Sequence, residues 1–453
     1  MRGAYVMIPL LCWALSVHAL PERQITSTPK NHNLDNNDNF SGDGKFLVYD
    51  TREVVGPGIE NSQSIEKVEL ATGDETVLYA PHPTVLGAKA APGAGAATFS
   101  PTENKVAFIH GPFLQEVPFR GWYAKPNRCG ALVDADGSGR MQWLDARDVA
   151  TDRDTIPGAH RGGTHRHEFS LDGKRVGFTY DDFILTQYAR TIGCMFPNEK
   201  APSPASHYFA ILVPVVPQGT AKTGEIETAV GDSWIGAQGL MRAFIGKVRE
   251  DDGSYTESLF VVDVPADLDI TTADSGSATR FPAPPKGLTV RRLTHTPASG
   301  VVRGTVQGDR IAYFAPDDKG MKQVFVIASN GSDKDPDPAK RPVQLTDFPK
   351  GVQGGLRWHP SGNTVLCVSE GAIVATCAKP GPQFGKSVFL TGKDDNAPRF
   401  DPVWSLDGNV IAYNRAVPTP GPGGKPAKTY NGKDMVQIFA IDFPDADSDG
   451  IAD

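Results

Sequence analysis

The sequence predicts an all-β chain folded as one seven-bladed β-propeller. The first observation is a phrase that recurs at intervals of roughly 40 residues or more. It runs aromatic or small residue, Ser, any residue, Asp-Gly, then a short run rich in β-branched and aromatic side chains. The second is composition. With 48 Gly and 37 Pro among 453 residues, the chain is far richer in turn formers than an average protein, which argues against a helical bundle. The third is that 39% of the residues are apolar and 22% charged, the balance of a globular chain and not of a disordered one.

The copies run in order along the chain. They are NFSGDGKFLVYD at 39–50, TFSPTENKVAFIH at 98–110, EFSLDGKRVGFTY at 168–180, a degenerate SWIGAQGLMRAFIG at 233–246, TVQGDRIAYFA at 305–315, RWHPSGNTVLCV at 357–368 and VWSLDGNVIAYN at 403–414. Each is followed by a second strand-like run: IEKVEL, CGALVDADG, HYFAILV, SLFVVDV, QVFVIAS, AIVATCA and VQIFAID. Alternating strands around an Asp-Gly turn are hairpins. A hairpin unit cannot bury both faces alone, so seven stack around an axis. A sandwich of unrelated hairpins would not keep the same internal order seven times. The Pro- and Gly-rich stretches 113–127, 182–205, 216–230, 265–287 and 416–430 read as insertions into this frame.

Ahead of the repeats, Arg2 precedes an apolar run from Val6 to Leu15, with Val17 and Ala19 at the −3 and −1 positions of a signal-peptidase site. This predicts a secretory signal over 1–19 and a propeller over 20–453. A membrane anchor would need about 20 apolar residues, and Pro9 interrupts this run. The protein is thus expected to be secreted, extracellular and monomeric, with no membrane partner. Its formal net charge of −8 excludes a nucleic-acid partner that depends on a basic face. An oxidising compartment suggests disulfides Cys367–Cys377, across one hairpin, and Cys129–Cys194. Asn39-Phe40-Ser41 and Asn330-Gly331-Ser332 are glycosylation sequons.

In a propeller the innermost strand enters at one face and reaches the Ser-x-Asp-Gly turn at the other. The residues just before the repeated phrase, and the loop after the following strand, meet near the axis. Blade three has the densest polar entry, His160-Arg161-Gly162-Gly163-Thr164-His165-Arg166-His167-Glu168. On a regular strand His165 and His167 share one side, and Arg166 and Glu168 the other. The same register gives Asn36 and Asp38 in blade one, Gly354 and Leu356 in blade six, and Phe400 and Pro402 in blade seven. Polarity therefore gathers on blades one to three. The return loops add Asp50 and Arg52, His110, and Tyr180 with Asp181 and Asp182. The insertions add Tyr123, Arg128, Tyr188 and Arg190. A hydrogen-bonded plug of the channel would use the same residues. Asp445, Asp447, Asp449 and Gly450 form half of a calcium loop, without the closing glutamate.

The xxFSxDGKxxxF phrase resembles the TolB-type, WD-like propeller repeat over nearly the whole chain. With its histidine-rich blade entry and signal, the chain also resembles propeller polysaccharide lyases: oligogalacturonate lyase, ulvan lyases and, most closely, the secreted L-rhamnose-α-1,4-D-glucuronate lyases. That resemblance implies β-elimination at a uronate in an acidic polysaccharide such as gum arabic, release of terminal L-rhamnose, and a divalent cation, calcium. Asn36 and Asp38 are the candidate metal ligands. The histidine–glutamine metal site of oligogalacturonate lyase is not reproduced by His295, Gln353 and His359, because His359 takes the place of the turn serine.

β-Elimination needs the uronate carboxylate neutralised, a base for the C5 proton and an acid for the departing O4. Arg128, Arg161 or Arg190 could hold the carboxylate. His110, His165, His167 and Tyr180 are the acid–base candidates, and Arg52, Tyr123, Arg166 and Tyr188 line the substrate site. Two alternatives stand beside this reading. One is a non-catalytic propeller that binds a protein or glycan. The other is a glycoside hydrolase, which needs two facing carboxylates.

Overall fold

The computed structural model describes residues 19–35, 38–52 and 58–444. Residues 1–18 of the expected signal over 1–19, Asn36 and the Asp445–Gly450 half-loop lie outside the described residues. Among the described residues, seven antiparallel sheets of three or four strands follow one another along the chain, with a two-stranded ribbon at Thr419–Pro420 and Pro426–Ala427, as the repeat predicts.

Blade three shows the pattern. Its strands run inside to outside as Gly162–Phe169, Val176–Asp182, Thr191–Pro197 and His207–Ile211. HYFAILV is therefore the outermost strand of this blade and not the third, which is supplied by the insertion over 182–205. The degenerate copy at 233–246 is the hairpin between Ile226–Ile235 and Met241–Arg249 of blade four. Blade one has three regular strands, and its inner segment is held by bridges from Asn33 to Asp50 and from Phe40 to Leu47. The ring closes on its own ends: Arg23–Gln24 pairs with Ala440 and Phe439 as the fourth strand of blade seven.

The Ser-x-Asp-Gly turns explain the repeat. Ser170 Oγ donates to Asp172 at 2.6 Å, and Ser170 Oγ in turn accepts from Arg175 N at 3.1 Å. Asp172 also accepts from Lys174 N at 3.1 Å. Gly173 takes φ 72°, a left-handed conformation that glycine adopts without a Cβ penalty. Ser41–Asp43 and Ser405–Asp407 repeat the arrangement at 2.7 and 2.5 Å.

A second repeated device has no signature in the phrase. In blades two, three, four, six and seven the residue three before the repeated aromatic is left-handed: Ala96, Arg166, Gly231, Gly355 and Asp401. At these points the pairing register of the innermost strand shifts. Each is a β-bulge that re-aims the side chains which follow. Simple alternation therefore fails along the inner strands. His165 and His167 do not share one environment. In blade seven, Asp401 and not Phe400 or Pro402 lies within electrostatic reach of charged groups on other blades, Asp35, Arg357 and Arg52. Polarity also reaches blades five to seven through Arg303, Arg357 and Asp401, beyond the predicted sector of blades one to three.

The cysteine and glycosylation expectations meet corrections. Cys129, Cys194, Cys367 and Cys377 are all free and buried. Cys367 stands opposite Val374, and Cys377 opposite Thr364, so hairpin register keeps the two thiols apart. Cys194 packs in the apolar core of blade three, while Cys129 faces Asp145 and His160. Asn39 is fully buried and donates to Leu34 O and Val48 O at 3.0 and 2.9 Å. A glycan has no access to it in the folded protein, whereas Asn330 is exposed.

Blades three and four are tied by a buried ion cluster. Arg242 donates to Glu168 at 2.9 Å and to Asp232 at 2.6 Å. Glu168 also accepts from Ser233 Oγ at 2.6 Å. Gly177 makes room for this guanidinium: a Cβ there would overlap Arg242 Cζ and Nη1. Arg242 is fixed by two carboxylates and cannot retreat. Gly177→Ala is therefore expected to destabilise the fold by about 1–3 kcal/mol, the cost of overpacking, measured as a lowered denaturant midpoint at unchanged slope.

Candidate functional site

Two regions along the axis stand out. The first lies at the Ser-x-Asp-Gly face. There a cavity of about 330 Å³ is ringed by the repeated aromatic of six blades, Phe40, Phe99, Phe169, Trp234, Trp358 and Trp404, with Gly304 at that place in blade five. Asp38, Glu168, Arg303 and Arg357 line it as well. Asp38 is exposed, and it lies within electrostatic reach of Arg357, Glu168, Arg166 and Arg242. Nothing in the single-strand alternation used on the sequence could have picked out Arg303 and Arg357. Their signal was the position just before the repeated aromatic.

The second region lies at the entry of blades two and three, where Arg128, Tyr123, His165, Arg190 and Asp181 come together. The insertion over 113–127 places Tyr123 and Arg128. Short helical turns at Leu114–Glu116, Val117–Arg120 and Lys125–Asn127 fold it back. Asn127 locks them by donating to Arg120 O at 2.9 Å and Trp122 O at 2.6 Å. Gly163 lets this segment approach, since a Cβ there would collide with Lys125 O.

Arg128 is 3% exposed. Its Nη1 donates to the Tyr123 hydroxyl at 3.2 Å, and its Nη2 stands 3.9 Å from Asp181 Oδ2. Asp181 is engaged more closely by Arg190 Nη2 at 2.6 Å. The Nε and Nη2 edge of Arg128 has no hydrogen-bond partner among the described residues, and neither does Nδ1 of His165. A buried guanidinium edge without an acceptor is costly, and its paired N–H geometry matches a carboxylate. Burial, then the charges of Arg128, Arg190, His167 and Arg166, hold His165 well below the ordinary histidine range. It is a neutral imidazole at neutral pH. Burial raises the Tyr123 hydroxyl, with Arg128 opposing, so this phenol keeps its proton.

The other sequence candidates sit elsewhere. His110 is buried among Tyr79, Phe113 and Trp143, and its nitrogens meet Tyr79 Oη at 2.9 Å and Gly111 O at 2.6 Å. Burial pushes it down to about 4. Tyr180 is buried and donates to Asp182 at 2.9 Å. Asp182 is in turn gripped by Arg161 Nε and Nη2 at 3.0 and 2.8 Å, and Arg161 also donates to Ser277 O and Arg280 O. Arg52 is closed by Asp50 and Asp35, and Asp50 accepts from Ala96 N at 2.8 Å. Tyr188 stacks on Phe281 at 4.2 Å. Arg166 donates to Asp232 O at 2.6 Å and lies within electrostatic reach of both Asp35 and Asp38. His167 is fully buried, and its Nε2 is 3.1 Å from Thr164 Oγ1. Asp401, missed in the sequence, is pushed up to about 7 by enclosure and by Asp35, against Arg357 and Arg52.

Of the metal candidates, Asn36 lies outside the described residues and Asp38 lines the cavity. His295 pairs with Asp333 at 2.8 Å, Gln353 accepts from Gly371 N at 2.8 Å, and His359 meets Ser361 at 2.8 Å. These three do not form one site. The donors that do converge are Cys129, Asp145 and His160, all buried, with ligand atoms within 4.8 Å of one another. A thiol and an imidazole are poor partners for calcium, which takes oxygen ligands.

The stretch that carries this second region matches a known family. Residues 93–208 fit the family described as "Protein of unknown function (DUF3748)". The Escherichia coli (strain K12) protein named "Uncharacterized protein YidR" is 33% identical over 423 residues, covering 86% of this chain and 94% of that one. The chain belongs to the YidR family. Among solved structures, oligogalacturonate lyase of Vibrio parahaemolyticus aligns at TM-score 0.41 and 12% identity, over 95% of this chain and 96% of that one. The periplasmic gluconolactonase of Pseudomonas aeruginosa aligns at TM-score 0.43 and 15% identity, over 88% and 99%. TolB of Acinetobacter baumannii aligns at 0.37 and 12%, over 88% and 64%. Likenesses at this level say nothing of what this YidR-family member does.

Proposed function

We propose that this YidR-family propeller is a polysaccharide lyase that cleaves the bond to O4 of a glucuronate by β-elimination at the Arg128–His165 site. The observation that carries the reading is the buried Arg128 edge, which lacks an acceptor, beside a neutral histidine. Arg128 Nε and Nη2 would take the C6 carboxylate and make the C5 proton acidic. His165 removes that proton, the C4=C5 double bond forms, and the C4–O4 bond breaks. The protonated Tyr123 hydroxyl, already accepting from Arg128, donates to the leaving O4. The bound carboxylate offsets the guanidinium charges around His165 and so raises its affinity for the proton in the step that needs it. Arg190 keeps Asp181 from competing for Arg128.

The narrower proposal is exo action that releases terminal L-rhamnose from gum arabic-type glycans outside the cell. An acidic body of net charge −8 repels a long polyuronate, and the insertion over 113–127 walls the site, which suits a chain end. The test is digestion of gum arabic beside pectin, alginate and ulvan. Early monosaccharide, little viscosity loss and rising ultraviolet absorbance of the residual glycan support it. Rapid viscosity loss with oligosaccharide products would mean endo action.

His165→Ala is expected to lower turnover by roughly 10²-fold or more, the usual share of general acid–base catalysis, with little change in melting temperature. His167→Ala, at a fully buried ring, is expected to lower the melting temperature as well. Because the His165 pKa is depressed, the base is neutral through the ordinary histidine range. The acid limb of kcat/KM should therefore stay flat through pH 6–7 and fall only below it. A limb centred at the ordinary value would point to another base.

A second reading rests on the aromatic-ringed cavity at the opposite face. Such a ring suits a non-catalytic role in binding a glycan or protein partner. Binding that survives Arg128→Ala while no unsaturated product forms from any uronate would favour it.

A further inference from the structure

We propose that Cys129, Asp145 and His160 form a buried site for a borderline-soft divalent ion of the zinc class that pins blade two to the entry of blade three. Cys129 opens the third strand of blade two, Cys129–Asp134, and Asp145 follows its outermost strand, Met141–Trp143. His160 belongs to the segment leading into the inner strand of blade three. Their donor atoms are an S, an O and an N within 4.8 Å of one another, and the three residues are at most 4% exposed.

Two further observations point to an ion and not to an ordinary polar cluster. His160 Nε2 stands at ion-pair distance from Asp145 Oδ1, 3.4 Å. Neither ring nitrogen of this fully buried histidine has a hydrogen-bond partner among the described residues. The Asp145 carboxylate, by contrast, is oriented from behind. It accepts from Gly130 N at 3.0 Å and from Thr164 Oγ1 at 2.5 Å. That is the second layer of support which typically aims a metal-binding carboxylate.

Thiolate, carboxylate and neutral imidazole together carry two negative charges for a divalent ion to meet, and Arg120 Nη2 donates to Cys129 Sγ at 3.5 Å beside them. The donor set fits zinc or cobalt and not calcium. On binding, the thiol proton and any proton on His160 leave to solvent. Three protein donors leave one position of a four-coordinate ion for water. The inference does not rest on the lyase proposal. Its consequence would be structural: Arg128 and His165 sit on the two segments that the ion joins.

The test uses the full-length chain, purified reduced, stripped with a chelator and titrated with cobalt(II). One equivalent should bind and give a thiolate-to-cobalt charge-transfer band in the near ultraviolet. Cys129→Ser should abolish the band, and Cys194→Ser should leave it intact. Should Cys129→Ser fail to fold, His160→Gln serves instead, with cobalt affinity falling about a hundredfold or more, at least the loss seen for outer-shell changes. No thiolate band in the wild-type protein would overturn the site. So would a band that persists in folded Cys129→Ser, or unchanged affinity in His160→Gln.

Discussion

Arg128→Ala is expected to lower kcat/KM on glucuronate-bearing glycans by about 10²–10³-fold, the cost of removing a donor aimed at developing negative charge. Abstraction of the C5 proton moves charge onto the C6 carboxylate, and the free Nε–Nη2 edge of Arg128 is the group placed to receive it. Arg128→Lys should recover little, because an ammonium offers a point charge and not a paired edge. The side chain spends one donor on Tyr123 and stands 3.9 Å from Asp181, so the fold depends on it less than on the closed ion pairs nearby. Steady-state kinetics with a melting curve for each variant separates the two effects. Lost activity at unchanged melting temperature is the expected result.

Arg161→Met is expected to act in the opposite way, lowering stability by about 3–5 kcal/mol. Both Arg161 and Asp182 are buried, and removing one partner leaves an uncompensated charge in the interior. Arg161 also satisfies the carbonyls of Ser277 and Arg280, so the insertion over 265–287 would lose its anchor to blade three. Denaturant unfolding reads the change. An unaltered midpoint would show that the pair is solvated and open to substrate after all.

These two arginines show how far the sequence could be read. Both stand in the polar entry of blades two and three, and residue type and spacing gave them equal claims. The difference lies in partners far apart along the chain: Ser277 and Arg280 close on Arg161, while the Nε–Nη2 edge of Arg128 has no hydrogen-bond partner among the described residues and only Asp181 at 3.9 Å. The blades were legible because each hairpin is a local unit whose turn chemistry, Ser170–Asp172–Gly173, is written in consecutive residues. The bulges were not legible. Arg166 and Asp401 take left-handed conformations that their residue types do not announce, and each one reverses the alternation used to decide which side chains share a face. Asp401 and Arg357 were lost to the reading for that reason. Compartment and the hairpin that joins Cys367 to Cys377 leave Cys129 with Cys194, whereas its actual neighbours Asp145 and His160 come from a different strand connection and a different blade.

The central claim is that the Arg128–His165 site eliminates across C4–C5 of a uronate. The most direct measurement is the ultraviolet absorbance of the C4=C5 product during digestion of a glucuronate-capped glycan, followed beside Arg128→Ala. The account predicts that absorbance rises with the wild-type protein and is lost with the variant. Cleavage without absorbance would mean hydrolysis and would direct attention to Asp401 and Asp35, and absorbance undiminished in folded Arg128→Ala would contradict the site.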